Sequence, residues 1–227
     1  MSFIANKFPG VAPALVVDGC GNSVYAGVLG HHGEWKSQSI STGAPLEQLF
    51  PAVENALQEA ELSVDGLGSF IYCQGPGSVL GLRLCAMAIE TWRRLGVASR
   101  PCFAYNSLTL TAELLKKDRA PDEALLFADW KKGAWHAVEF KAGMADACHV
   151  MDDATLQAYG GQRFHLPQRK GWQAAPDGAV PLAYEPQRLH EVLFVDGLLR
   201  RTEGVELVTS SAAQFTKWVP ERHRASS

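Results

Sequence analysis

The sequence predicts an α/β protein of two lobes in which mixed sheets are flanked by helices, and three observations carry that expectation. Short, continuous apolar runs such as Ala14 to Asp18 and Ser69 to Cys73 suit strands buried on both faces. Segments with apolar residues three and four apart alternate with these runs, which is the spacing of amphipathic helices. A further strand pair beyond residue 120 opens a second unit, and 227 residues are enough for two cores.

After a leader bearing Pro and Gly, Ala14 to Asp18 is the first strand, and Gly19, Gly21 and Asn22 supply the turn that follows. Val24 to Gly30 and Glu34 to Ser41 are the next two strands, joined through His31-His32-Gly33 into an antiparallel meander. From Leu46 onward, Leu49, Phe50, Val53, Leu57 and Leu62 recur at helical spacing. Pro51 suits a helix start near that position and would kink a longer helix. Ser69 to Cys73 is the fourth strand, and Gly75-Pro76-Gly77-Ser78 breaks any regular element after it. A helix then runs from about Val79 to Leu95 and ends near Gly96, with Leu82, Leu84, Ala86, Met87, Ile89 and Trp92 as candidates for burial. Arg100 to Tyr105 is the fifth strand, and Ser107 can cap a helix through Lys117.

Beyond residue 120, Ala124 to Asp129 and Ala134 to Phe140 form a hairpin around Trp130-Lys131-Lys132-Gly133. Asp152 and Asp153 stand at the start of a short helix, Ala154 to Tyr159. Tyr159 to Pro186 is rich in Gly, Pro and Gln and reads as irregular loops. Glu191 to Val195 is a strand candidate and Ser210 to Trp218 a final helix. The first lobe is expected over 1–108 and a smaller second lobe over 109–227, its last helix free to pack back on the first.

Composition narrows the function. Lys and Arg number 21 against 24 Asp and Glu, and the formal charge of −3 gives no chain-wide attraction to nucleic-acid phosphates. Cys20, Cys73, Cys85, Cys102 and Cys148 are scattered and form no C-x-x-C pair, so they read as buried thiols in a reducing, cytoplasmic compartment. The N-terminus lacks the pattern of a secretory signal, and no apolar run approaches the roughly 20 residues of a membrane-spanning helix. The seven histidines make no H-x-x-x-H or H-E-x-x-H pair, so no metal site and no metallopeptidase is expected.

The most informative run is Gly75-Pro76-Gly77-Ser78-Val79-Leu80-Gly81-Leu82-Arg83-Leu84, set between a buried strand and an amphipathic helix. It lacks the Gly-Lys-Ser/Thr ending of a P-loop, and Gly81 falls one place too late for G-x-G-x-x-G. Its glycines permit a tight turn, and N–H groups at the helix start can meet an anion. Gly75, Gly77, Ser78, Gly81 and Arg83, with Asp18 at the end of the first strand, are therefore candidate anion or nucleotide-binding residues. Asp18 serves equally as a turn cap, and Arg83 equally as half of an internal ion pair.

This run resembles the G-P-G-S-F-T-G-L-R-I-G signature of the TsaB (YeaZ) family, glycoprotease-like proteins of tRNA threonylcarbamoyladenosine biosynthesis. Gly75, Pro76, Gly77, Ser78, Gly81, Leu82 and Arg83 match it, and Asp129-Trp130-Lys131-Lys132-Gly133 is similar to the D-A-R-x-G hairpin opening the family's second lobe. Asp18-Gly19-Cys20 departs from the family's Asp-Thr-Ser/Ala and loses a hydroxyl that can meet a phosphate. The resemblance implies an actin-like (ASKHA, ribonuclease-H-like) fold duplicated without a sequence repeat. It also implies a non-catalytic scaffold for a TsaD-like catalytic partner, with a TsaE-like ATPase as a further partner, a homodimer when alone, and only indirect contact with tRNA. No cofactor is then required, and ATP or ADP is the nucleotide to consider at a partner interface. The partner surface is expected on the helices carrying Leu49, Phe50, Val53, Leu82, Met87, Ile89 and Trp92. An actin-fold small-molecule kinase or ATPase, using Asp18 and the Gly75 loop around ATP, is the alternative.

Overall fold

The computed structural model describes residues 10–97, 100–118, 121–141, 144–167 and 174–208, and every structural statement below concerns these. Strand β1 (Ala14–Asp18) pairs antiparallel with β2 (Ser23–Leu29), and β2 with β3 (Trp35–Thr42). Helix α1 (Pro45–Glu59) then crosses to β4 (Ser69–Cys73), which lies parallel to β1. Helix α2 (Val79–Trp92) crosses to β5 (Cys102–Tyr105), parallel to β4, and α3 (Ser107–Lys117) follows. Pro45 occupies the first turn of α1, where a missing N–H costs nothing, and the helix continues through Pro51 instead of starting there.

The second half repeats this order. Strands β6 (Glu123–Lys131) and β7 (Ala134–Lys141) form the hairpin, and β8 (Met144–Ala145) and β9 (His149–Asp152) both pair antiparallel with β7. The short α4 (Asp153–Ala158) leads to β10 (Gln162–His165), parallel to β6, and β11 (Val180–Pro181) lies parallel to β10. The succession β9-β7-β6-β10-β11 thus matches β3-β2-β1-β4-β5. After α5 (Leu189–Val192) the chain returns to the first lobe, where β12 (Arg200–Thr202) adds antiparallel to β5.

Strand β1 is buried on both faces. Leu15 and Val17 point into a core with Leu49 and Val53 of α1 and Cys85 and Ile89 of α2, while Ala14 and Val16 face Leu110 and Leu114 of α3. Leu189, Val192 and Leu193 close that second core. In the second lobe Leu126, Val138 and Phe140 pack with Leu108 and Ala112 of α3, so this one helix serves both lobes. The opposite face sets Leu125, Phe127 and Trp135 against Leu156 of α4.

Three expectations are corrected. Glu191 to Val195 is not a strand, because Leu189, Val192 and Leu193 follow helical spacing and Arg188 bonds Glu191 one turn on at 2.8 Å. Tyr159 to Pro186 contains β10, paired to β6 through Phe164 and its neighbours. The cap of α3 is Asn106, whose side chain accepts from the N–H groups of Leu108 and Thr109, and Ser107 is the first helical residue. Asp152 caps α4 through the Thr155 N–H at 2.8 Å. The final helix expected over Ser210 to Trp218 lies outside the described residues.

Candidate functional site

The Gly75 to Arg83 segment joins the centre of the first sheet to α2. Gly75 has φ +102°, the left-handed region that favours glycine, and its bond to Pro76 is cis. The loop is held from two sides. The Pro76 carbonyl accepts from Ser107 Oγ at 2.6 Å and Cys20 Sγ at 3.0 Å, and Ser78 N–H donates to the Cys20 carbonyl at 2.9 Å. Ser78 Oγ caps α2 by accepting from Gly81 N–H at 3.2 Å. Gly19 and Gly81 meet backbone to backbone: a Cβ on Gly81 would stand 2.1 Å from the Gly19 carbonyl oxygen. Both positions therefore require glycine, which accounts for Gly19 in the Asp18-Gly19-Cys20 turn.

Asp18 is 1% exposed. Its carboxylate accepts from the Tyr105 hydroxyl at 2.5 Å, the Tyr184 hydroxyl at 2.5 Å and the Cys20 N–H at 2.6 Å. Burial and the Asp18 charge raise both tyrosines well above the usual phenol range, so they stay protonated as donors. Cys73 Sγ accepts from Gly75 N–H at 3.4 Å and lies 3.5 Å from the Tyr184 hydroxyl oxygen, and burial raises its thiol well above the ordinary value. Single ligand atoms of Asp18, Cys20 and Cys73 lie within 4.8 Å of one another.

Between the lobes lies a cleft of about 590 Å³, with Asn22, Ser78 and Arg83 on one side and Asp129 and Trp130 on the other. Of the candidate anion-binding residues, Gly77, Ser78 and Arg83 border this cleft, while Gly75 and Gly81 are buried behind it. Asp18 instead borders a separate cavity of about 260 Å³ with Tyr25 and Tyr184. The sequence reading missed Tyr105, Tyr184 and Cys73 around Asp18, and only the position of Tyr105 and Cys73 at strand ends hinted at their meeting.

The expected partner surface is corrected in part. Leu49, Val53, Leu82 and Ile89 are core residues, spent on packing α1 and α2 against the sheet. Trp92 is half-buried, stacked on Phe70 and edge-on to Phe50. Phe50 and Met87 reach solvent, joined by Leu46, Val79, Leu80 and Leu95, which the reading had not singled out. Positions 79, 83 and 87 are one turn apart on the face opposite Gly81, Cys85 and Ala88, a spacing that would have revealed them.

A meander of three strands followed by two further parallel strands, present twice and bridged by one helix, defines an actin-like α/β protein. The family model described as "TsaD: tRNA N6-adenosine threonylcarbamoyltransferase" matches residues 41–171, more than half of the sequence, and the chain belongs to that family. YeaZ from Pseudomonas aeruginosa has the same fold, with 18% identity, a TM-score of 0.56, and 85% of this chain and 94% of that chain covered. A protein from Pseudomonas aeruginosa described as similar to peptidase YeaZ aligns with a TM-score of 0.59 at 16% identity, covering 86% of this chain and 98% of the other. The TsaB (YeaZ) resemblance read from Gly75 to Arg83 is thus met in family and fold. No match was found among curated proteins. No helix among the described residues is long and apolar enough to cross a membrane.

Proposed function

We propose that this chain is a non-catalytic scaffold in threonylcarbamoyladenosine modification of tRNA, docking a TsaD-like catalytic partner through the outer faces of α1 and α2. Family membership supports the process. One observation supports the role: two neighbouring helices present apolar side chains to solvent, including Met87 at 66% and Leu80 at 58% exposure. Scattered exposed apolar residues are ordinary, but Val79, Leu80 and Met87 on α2 and Leu46 and Phe50 on α1 each share one helical face. Phe50 meets Trp92 edge-on, so α1 and α2 touch.

The kinase alternative asks Asp18 to face a nucleotide-bound metal in the cleft. Asp18 lies instead beneath Tyr105 and Tyr184, and Gly19 lacks a hydroxyl for a phosphate. A scaffold needs neither group.

The test is isothermal titration of the full chain with the TsaD-like protein of the same organism, with and without ATP. A micromolar or tighter complex is expected. Leu80→Glu with Met87→Glu should weaken it at least tenfold, about 1.4 kcal/mol, with the melting temperature unchanged. Absence of a complex under all nucleotide conditions, or an unaffected affinity in the double variant, overturns the assignment.

A further inference from the structure

The carboxyl ends of β1 and β4 bring together three metal-ligating side chains that are far apart in the sequence. Parallel pairing sets Val17 beside Tyr72. Cys73 and the Asp18-Gly19-Cys20 turn therefore leave the sheet at the same point. Asp18, Cys20 and Cys73 each place one ligand atom within 4.8 Å of the others, and all three are buried. Two thiols and a carboxylate suit a four-coordinate, borderline-soft cation: zinc(II) takes sulfur at about 2.3 Å and carboxylate oxygen at about 2.0–2.2 Å. Two sulfurs in such a tetrahedron stand about 3.8 Å apart, so the cluster needs to contract by roughly 1 Å at most.

The surroundings orient these groups as outer partners orient metal ligands. Tyr105, Tyr184 and the Cys20 N–H hold the carboxylate, and Gly75 N–H donates to the Cys73 sulfur. Of the three, Asp18 also borders the cavity it shares with Tyr184.

We propose that Asp18, Cys20 and Cys73 form a binding site for a zinc-like divalent cation, which ties the first turn to the Gly75 loop. Each thiol gives up its proton to solvent as its sulfur takes the metal, and no electrons are transferred.

The experiment is a cobalt(II) titration of the reduced, metal-stripped full chain, followed by thiolate-to-cobalt charge-transfer absorption and then by competition with zinc. A band that saturates at one cobalt per chain is expected, absent in Cys20→Ser and Cys73→Ser and retained in Cys102→Ser. Because a serine in the core can also unfold the chain, zinc X-ray absorption is measured on the loaded wild-type protein. Two sulfur neighbours support the site. A shell of nitrogen and oxygen alone, or no cobalt band in the folded wild-type protein, overturns it.

Discussion

Gly81→Ala sets two physical effects against each other. Gly81 is the third residue of α2, and in a helix Ala is favoured over Gly by about 1 kcal/mol. The new Cβ would sit 2.1 Å from the Gly19 carbonyl oxygen. An ordinary carbon–oxygen approach is about 3.3 Å, so the two backbones must separate by roughly 1.2 Å. Neither yields readily, since Ser78 N–H holds the Cys20 carbonyl at 2.9 Å. Overpacking costs about 1–3 kcal/mol, and contact between two backbones belongs at the upper end. Subtracting the helical gain leaves a net loss of about 2 kcal/mol, a fall in melting temperature of about 4–8 °C for a chain of this size. Urea and thermal denaturation measure it. Gly160→Ala, where no atom lies within 4 Å of the added carbon, is the control and should change stability by about 0.5 kcal/mol or less. A Gly81→Ala protein as stable as the wild type would refute the close approach.

His136 is 7% exposed and burial lowers its imidazole to about 4. Below about pH 6.5 the unfolded chain takes a proton that the folded chain refuses, so stability falls as pH drops from 6.5 toward 4. The loss is about 3 kcal/mol at most, and urea unfolding of His136→Phe over this range should show a correspondingly flatter pH dependence. Asn106→Ala removes the two N–H contacts that start α3 and should cost about 1 kcal/mol by the same assay. Tyr184→Phe deletes a hydroxyl donor to Asp18, leaving a buried carboxylate less satisfied; urea unfolding should show a loss of about 1–3 kcal/mol.

Local chemistry was readable from the residues, and long-range assembly was not. Ala14 to Val17 and Phe70 to Cys73 are apolar throughout, and the structure has strands Ala14–Asp18 and Ser69–Cys73 with the bounds read from the sequence. Ser78 and Gly81 announced a strand-turn-helix joint, and that joint is present. Strand β10 escaped notice because Gln162, Arg163 and His165 are polar and only Phe164 packs deeply; its pairing with β6 decides its conformation. Ser107 was favoured as a cap, although Asn106 sits one place earlier with an equally suitable side chain. Tyr184 reaches Asp18 across 166 residues, a separation that no local pattern encodes. The helical repeat of α2 was legible, but all its apolar positions were assigned alike, although the one-turn spacing of Val79, Arg83 and Met87 already sets Met87 apart from the buried Leu82 and Ile89.

Helix α3 gives Leu110 and Leu114 to one lobe and Leu108 and Ala112 to the other. Rotating the lobes about it would strip apolar cover from two interiors at once, so it works as an axle fixed at both hubs. Domain closure on a small molecule in the cleft is thereby resisted. A partner docking on α1 and α2 would therefore meet two lobes coupled through the apolar cover of one shared helix.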